Sequence, residues 1–484
     1  MRTVVGEDPD LDKAIFQFIY PFSLERNCQE RLRETLLQEG FASFRLGELA
    51  FETCFYGPGH RVSHRELERY YLPFACQVLF PGDNDPGSFR RLSRSSGDRA
   101  ILRVGAADGG LGVPFSVHSI DVVLCPFDTG FLTIRTEIDA AQSITFGQAL
   151  EFGDRMRHFQ DREENAADHR SIIEHDGQTY REIEHYVFGV LVPSLLPFLD
   201  RSSMQDTPFE KLPFFMDERL FVIGFCSFPG DTDLTLPQRY RAGRLDGLDA
   251  HGRPRIGASH LPYMERYAEH FEYARWAPDT YYITDETCFV CLTRVAPDKA
   301  LLLADQMYGE YYYGLLLNLF HRIVLLKLSI AYSKVQLERK PERTEELIRD
   351  ITCFSAKYYF AEIVAQTEGR EIFHQLRNVY GNDKLFDDVK ITLSDLYKYQ
   401  ETRTSKQAGY LLTILTIYTV VSGIFGMNLV IEDLDGGYNW GFLKGYSLFQ
   451  WVALSIAFSG LAVAVLLIVG VLWKWGRDFV RRRQ

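Results

Sequence analysis

Ser422-Gly423-Ile424-Phe425-Gly426-Met427-Asn428 closes one long uncharged segment and stands just ahead of another. No charged side chain lies between Lys406 and Glu432, and none between Lys444 and Lys474. At ~1.5 Å of rise per residue, either segment as a helix crosses the ~30 Å hydrocarbon core of a bilayer. The sequence therefore predicts a C-terminal helical hairpin through a membrane, with Gly426-Met427-Asn428 at its turn. Charge orients the hairpin. Lys398, Arg403 and Lys406 precede the first span, and the tail after the second carries Lys474, Arg477, Arg481, Arg482 and Arg483 against Asp478. The loop between them holds Lys444 against Glu432, Asp433 and Asp435. Positive residues stay inside, so both termini are expected in the cytoplasm and the acidic loop outside.

A Gly-Met-Asn at the outer end of the first of two C-terminal spans, followed by an acidic loop and a last span with a basic tail, resembles the CorA magnesium-transporter family. The resemblance covers roughly the last hundred residues and, loosely, the long helices before them; nothing in the first 300 residues matches residue by residue. It implies a funnel-shaped homo-oligomer of five protomers. It also implies a cytoplasmic domain that senses internal Mg2+, making Mg2+ both the transported and the regulatory ion. Thr419 matches a threonine of the family's first span, four residues before the glycine matched by Gly423. Ile417 stands where the family usually has proline, which leaves the local helix bend open. Zinc relatives often carry Ile in place of Met in the tripeptide, so Met427 tilts the reading toward magnesium.

The residues supply a mechanism of their own. Two helices cannot enclose a water-filled path, so a pore requires several protomers around an axis. Glu401, Ser405, Leu412, Thr416 and Thr419 keep to one side of a helix, which makes Ser405, Leu412, Thr416 and Thr419 the expected pore lining. The competing role for intramembrane threonine is a bond to its own i−4 carbonyl. Magnesium dehydrates reluctantly, so its filter should present neutral oxygens to bound water. Asn428 amides and the carbonyls freed where Gly426 lets the chain leave the helix meet that need. Thioether is soft and magnesium hard, which places Met427 behind the ring. Glu432, Asp433 and Asp435 concentrate cations at the mouth, and Tyr438, Trp440, Phe442 and Tyr446 suit an interfacial belt. A divalent cation gains ~4.6 kcal/mol per 100 mV of inside-negative potential, so passive influx needs no ATP site.

The 484 residues, 46% hydrophobic, suffice for a large folded domain besides the hairpin. The net charge of −12, more negative still without the basic tail, argues against nucleic acid and suits cations. Residues 1–300 read as an α+β domain. The expected elements are a hairpin over Ser119–Ile138 turning at Asp128-Thr129-Gly130, strands in Leu220–Phe228 and Tyr281–Val295, and helices over Arg31–Gln38, Ser63–Tyr71 and Tyr180–Leu191. Pro229–Pro262 reads as the longest loop. Gly105–Gly112 lacks the Lys-Ser/Thr of a phosphate loop, Cys288 and Cys291 read as buried strand thiols, and His60 and His64 as a surface pair. No nucleophile-and-base arrangement stands out, so an enzyme is not expected. The N-terminus lacks the apolar run of a signal peptide.

Long helices are expected over 301–408: Leu301–Glu338, Thr344–Gly369 and Arg370–Tyr380. A stalk then runs from Asp383 through Gly426, ~66 Å long, with Leu385, Val389, Leu396 and Tyr399 near a heptad seam. Asp387 and Asp388 are candidate regulatory cation ligands or a solvated first-turn pair. The expected layout continues with a first span at 409–428, an external loop at 429–446, a second span at 447–473 and the tail at 474–484. The expected partners are a lipid bilayer, further copies of the chain and divalent cations, in a cell or inner membrane. Transport of Zn2+, Co2+ or Ni2+ is one alternative, and a non-conducting membrane-anchored sensor or scaffold the other.

Overall fold

The computed structural model describes residues 8–81, 87–104, 111–139, 143–159, 171–200, 219–249, 251–338 and 341–433, and from the last segment 445, 447–449, 451–452, 455, 458–459 and 462. Side chains at 336–338, 341, 403, 421–422 and 424–433 lie outside the description. The chain divides into two units, Met1–Thr392 and Leu393–Gln484.

The first unit is mixed α+β, as its pattern predicts. Its centre is a 12-stranded, mainly antiparallel sheet. Along its main path the strands are Gln178–Tyr180, Ser171–His175, Arg99–Val104, Leu111–Cys125, Thr129–Ile138, Lys13–Ser23, Phe221–Ser227, Cys288–Thr293, Thr280–Thr284 and Glu272–Tyr273. The expected hairpin is present, with Ile120 opposite Ile134 and Leu124 opposite Gly130. Phe221–Ser227 and Cys288–Thr293 pair in parallel, Cys226 opposite Leu292.

Every residue from Ala14 to Ser23 is buried because both faces of the sheet are covered. On one face Phe16, Phe18, Tyr20 and Phe22 join Ile120, Val122 and Ile134 in the main core. Helix Phe146–Met156 lies against them, with the Phe152 ring 5.6 Å from Phe16 and 5.1 Å from Phe115. Its start is fixed by a capping box between Thr145 and Gln148. Each such phenylalanine contributes about 1.5–3 kcal/mol by burial.

The opposite face carries a buried polar seam. Asp121 accepts from both Arg135 and Arg91, and all three are almost or wholly inaccessible. Arg135 also donates to Gln17 at 3.1 Å, and Arg91 to Ser93 at 2.8 Å and Tyr313 at 2.7 Å. Two cations share one carboxylate, and aromatic faces take up the excess charge: Arg135 lies 4.8 Å from the Tyr312 centroid and Arg91 4.4 Å from Phe44. The guanidiniums hold Asp121 below its ordinary range despite complete burial.

Several elements differ from their sequence readings. His60 and His64 are buried, not a surface pair. His60 Nδ1 lies 2.7 Å from Asp305, and His64 Nδ1 accepts from the Gly47 amide at 3.0 Å. Ser63 is the N-cap of helix His64–Tyr70, accepting from the Glu66 amide. Inside the expected loop 229–262 stands helix Leu236–Arg244, opened by a Thr235/Gln238 capping box with proline in its first turn. The first long helix is broken at Gly309 into Pro297–Tyr308 and Glu310–Glu338. Helix Pro341–Lys357 ends well before Gly369, and Thr367–Val379 follows. Cys288 and Cys291, by contrast, lie buried in one strand as expected; Cys288 donates to the Gly243 carbonyl, and odd spacing turns Cys291 to the other face. Of Gly105–Gly112, residues 105–110 lie outside the described residues.

Candidate functional site

Among the described residues, one helical stretch is long and apolar enough to cross a membrane by length and composition, Pro297–Val335. Its apolar window is 67% buried, with Tyr312, Leu316, Phe320 and Ile323 inaccessible. It therefore reads as a core helix of the first unit. Lys327 on the same helix donates to the Phe127 carbonyl at 2.7 Å, stapling it to the sheet hairpin's turn.

The segment singled out by the sequence belongs to a single helix, Asn382–Asp433. Gly381, at φ +63°, provides the break before it. Asn382 is buried and donates to the Asn318 carbonyl at 3.1 Å. Asp383 in the first turn accepts from Arg377 at 2.7 Å and Tyr359 at 2.8 Å. Burial opposes ionisation of Asp383, but these two donors hold it below the usual carboxylate range. Asp387 and Asp388 are exposed; Asp387 lies 3.8 Å from Lys390 on its own helix. They are solvated as a pair but stand in the second turn, beyond the first turn that holds Asp383, and no metal-holding cluster occurs among the described residues. Val389 and Leu396 are buried, while Tyr399 is 47% exposed, so the expected heptad seam is not continuous.

Further along, the helix surface becomes apolar and bare. Tyr410, Leu411, Leu412, Ile414, Leu415, Ile417 and Val420 are each about half exposed or more. They point all around the cylinder, so no single groove covers them. Among the described parts of the last segment, Leu448, Phe449 and Phe458 are equally bare. The Tyr418 and Ser459 hydroxyls approach to 3.4 Å.

Ser405, Leu412 and Thr416 lie on one side of the helix, with Thr419 beside them and Thr413 about 80° away. The threonine hydroxyls are turned to their own backbone. Thr413 donates to Gly409, Thr416 to Leu412 and Thr419 to Leu415, at 2.7–2.8 Å. Each proton is thus satisfied inside the helix, and each oxygen keeps acceptor capacity for water.

Gly426, Met427 and Asn428 are helical in backbone, and the helix runs on to Asp433. The expected exit at Gly426 and loop from 429 therefore differ from the structure. Leu429-Val430-Ile431 prolongs the apolar run, and a glycine inside a helix costs only about 1 kcal/mol. In a continuous helix the carbonyls before Asn428 are engaged by later amides, not freed. Asn428 then stands about 140° around from Ser405. The side chains of Gly426-Met427-Asn428, Glu432 and Asp433 lie outside the described residues, as does Asp435 altogether. No family model matches the chain, and no curated protein matches it.

Proposed function

We propose that the protein is a membrane-embedded divalent-cation channel or transporter for Mg2+, assembled from several copies of its C-terminal hairpin. One observation carries the reading: the uncovered apolar surface from Tyr410 to Val420. Seven large side chains left in water would cost on the order of 10 kcal/mol, so the segment requires an apolar surrounding. The uncharged length from 407 to 431 matches a bilayer, and the flanking charges favour a cytoplasmic first unit. Ions pass along the side bearing Ser405, Thr416 and Thr419, whose oxygens accept from the water around the ion. For Asn428 to join that path, the helix must open near Gly426 when the ring forms. The small cost of ending a helix at glycine makes that change accessible.

The test is magnesium flux into liposomes together with oligomeric mass in detergent. Asn428→Ala removes one acceptor per protomer, each worth on the order of 1 kcal/mol, so uptake should fall at least roughly tenfold with assembly intact. Parent-like uptake by an assembled Asn428→Ala variant removes the filter assignment. The back-bonded threonines and the helix unbroken past Asn428 favour a second reading, a membrane-anchored sensor without conduction; a monomer lacking flux selects it.

A further inference from the structure

On the first unit, independently of any transport, an open groove of about 760 Å³ lies on the sheet surface where strands Arg99–Val104, Leu111–Cys125 and Thr129–Ile138 meet. Arg99, Ser116 and Glu137 are direct cross-strand partners, Arg99 opposite Ser116 and Ser116 opposite Glu137. Partners across a sheet share a face, and strands lie about 4.8 Å apart, so a guanidinium, a hydroxyl and a carboxylate stand in one row. Beside the row, Ile101 pairs with Pro114 and supplies an apolar floor.

The charges in this row are unequally satisfied. Arg99 has no hydrogen-bond or ion-pair partner for its guanidinium among the described residues. Glu137 is anchored at the inner end, 3.1 Å from Lys13 and 3.3 Å from His118. Those two cationic or donor groups hold it ionised in spite of its burial. Glu174 is occupied by Arg103 at 2.6 Å. His175 borders the groove, 8% exposed, with Nε2 3.8 Å from Asp98 and 3.9 Å from Asp176.

We propose that the groove binds a small amino-acid-type zwitterion with an apolar side chain. Its carboxylate lies on Arg99, its ammonium group on Glu137 and the Ser116 hydroxyl, and its side chain over Ile101 and Pro114. A planar guanidinium recognises a carboxylate through paired donors, and a carboxylate fixed by two neighbours receives an ammonium without reorganising. The volume is that of small-molecule pockets, and the mixture of apolar floor and a few convergent polar groups is their usual lining.

Calorimetry on the full-length chain in detergent tests this with four probes: L-phenylalanine, phenethylamine, 3-phenylpropionate and MgCl2. L-phenylalanine should bind at least roughly tenfold more tightly than either singly charged analogue, and MgCl2 should not displace it. Arg99→Leu, on an exposed strand position, should bring L-phenylalanine and phenethylamine to equal affinity. Glu137→Gln should weaken both of these and leave 3-phenylpropionate unchanged. Phenethylamine binding as tightly as L-phenylalanine to the parent overturns the proposal, as does absence of millimolar binding by L-phenylalanine. An Arg99→Leu protein that keeps the parent's preference overturns it too. None of these results depends on flux, so failure here and failure of the transport reading are distinguishable.

Discussion

Ile414→Lys tests whether the bare part of helix Asn382–Asp433 faces lipid. Ile414 is 53% exposed and lies about 180° around from Ser405, on the side opposite the polar stripe. In a ring with the stripe toward the axis, that side meets hydrocarbon. Isoleucine favours the centre of a span by about 0.3–0.6 kcal/mol and lysine opposes it by about 2.5–3.5, so the exchange costs about 3–4 kcal/mol. Integration should fall on the order of 100-fold, read as the carbonate-extractable fraction and as loss of glycosylation at a site engineered into the external loop. Thr416→Lys is the control, about 20° from Ser405. A lysine there faces water, so the protein should integrate, but a ring of ammonium groups should repel Mg2+ and suppress uptake. Equal extraction of the two variants refutes the assignment of faces. Full integration of Ile414→Lys with normal uptake refutes the lipid contact itself.

The buried seam of the first unit makes a stability prediction: Asp121→Asn leaves Arg91 and Arg135 without their anion and should cost about 3–5 kcal/mol, seen as a lowered unfolding midpoint. A midpoint equal to the parent's would show that the aromatic faces alone carry both cations. Burial above all, with the Glu66 and Asp305 carboxylates adding to it, pushes Glu310 up to about 7. Because its folded value is raised, the folded state holds the proton longer, and stability drains away as pH rises from about 4.5 toward 7. Glu310→Gln should therefore stabilise at pH 8 and not at pH 4; an equal gain at both pH values rules the titration out. For orientation, Gly437→Cys should react with an impermeant thiol reagent from outside intact cells and Arg482→Cys should not, with the reverse pattern inverting the topology.

The sheet hairpin was legible because Asp121–Phe127 and Phe131–Ile138 are strand-like runs rich in Val, Ile, Leu, Phe and Thr around Asp-Thr-Gly, a local signal for a local pairing. The parallel contact of Phe221–Ser227 with Cys288–Thr293 was not, since nothing near either strand names its partner. Helix Leu236–Arg244 was hidden by its Pro, Gly and Arg content. Its signal was nevertheless there in Thr235-x-x-Gln238, a capping box that outweighs the surrounding loop composition. His60 and His64 went inward because each finds a specific long-range partner, Asp305 and the Gly47 amide, and a single imidazole carries no trace of that in the chain around it.

At the C-terminal helix, sequence reasoning located the helix but not its end. The uncharged run and the stripe of Ser405, Leu412, Thr416 and Thr419 follow from periodicity alone, which the helix preserves. Whether the chain leaves the helix at Gly426 turns on a balance of about 1 kcal/mol between glycine's cost in a helix and three following apolar residues that prolong it. In the proposed ring, contacts with neighbouring copies would exceed that margin. A helix unbroken to Asp433 in one chain and a helix opened at Gly426 in a ring are therefore compatible states of one sequence. Their difference is the step that would bring Asn428 from about 140° off the stripe toward the ion path. Gly426→Ala separates the two. It strengthens the continuous helix by about 1 kcal/mol, so uptake should fall while integration stays unchanged. Undiminished uptake would mean that conduction never required the helix to open.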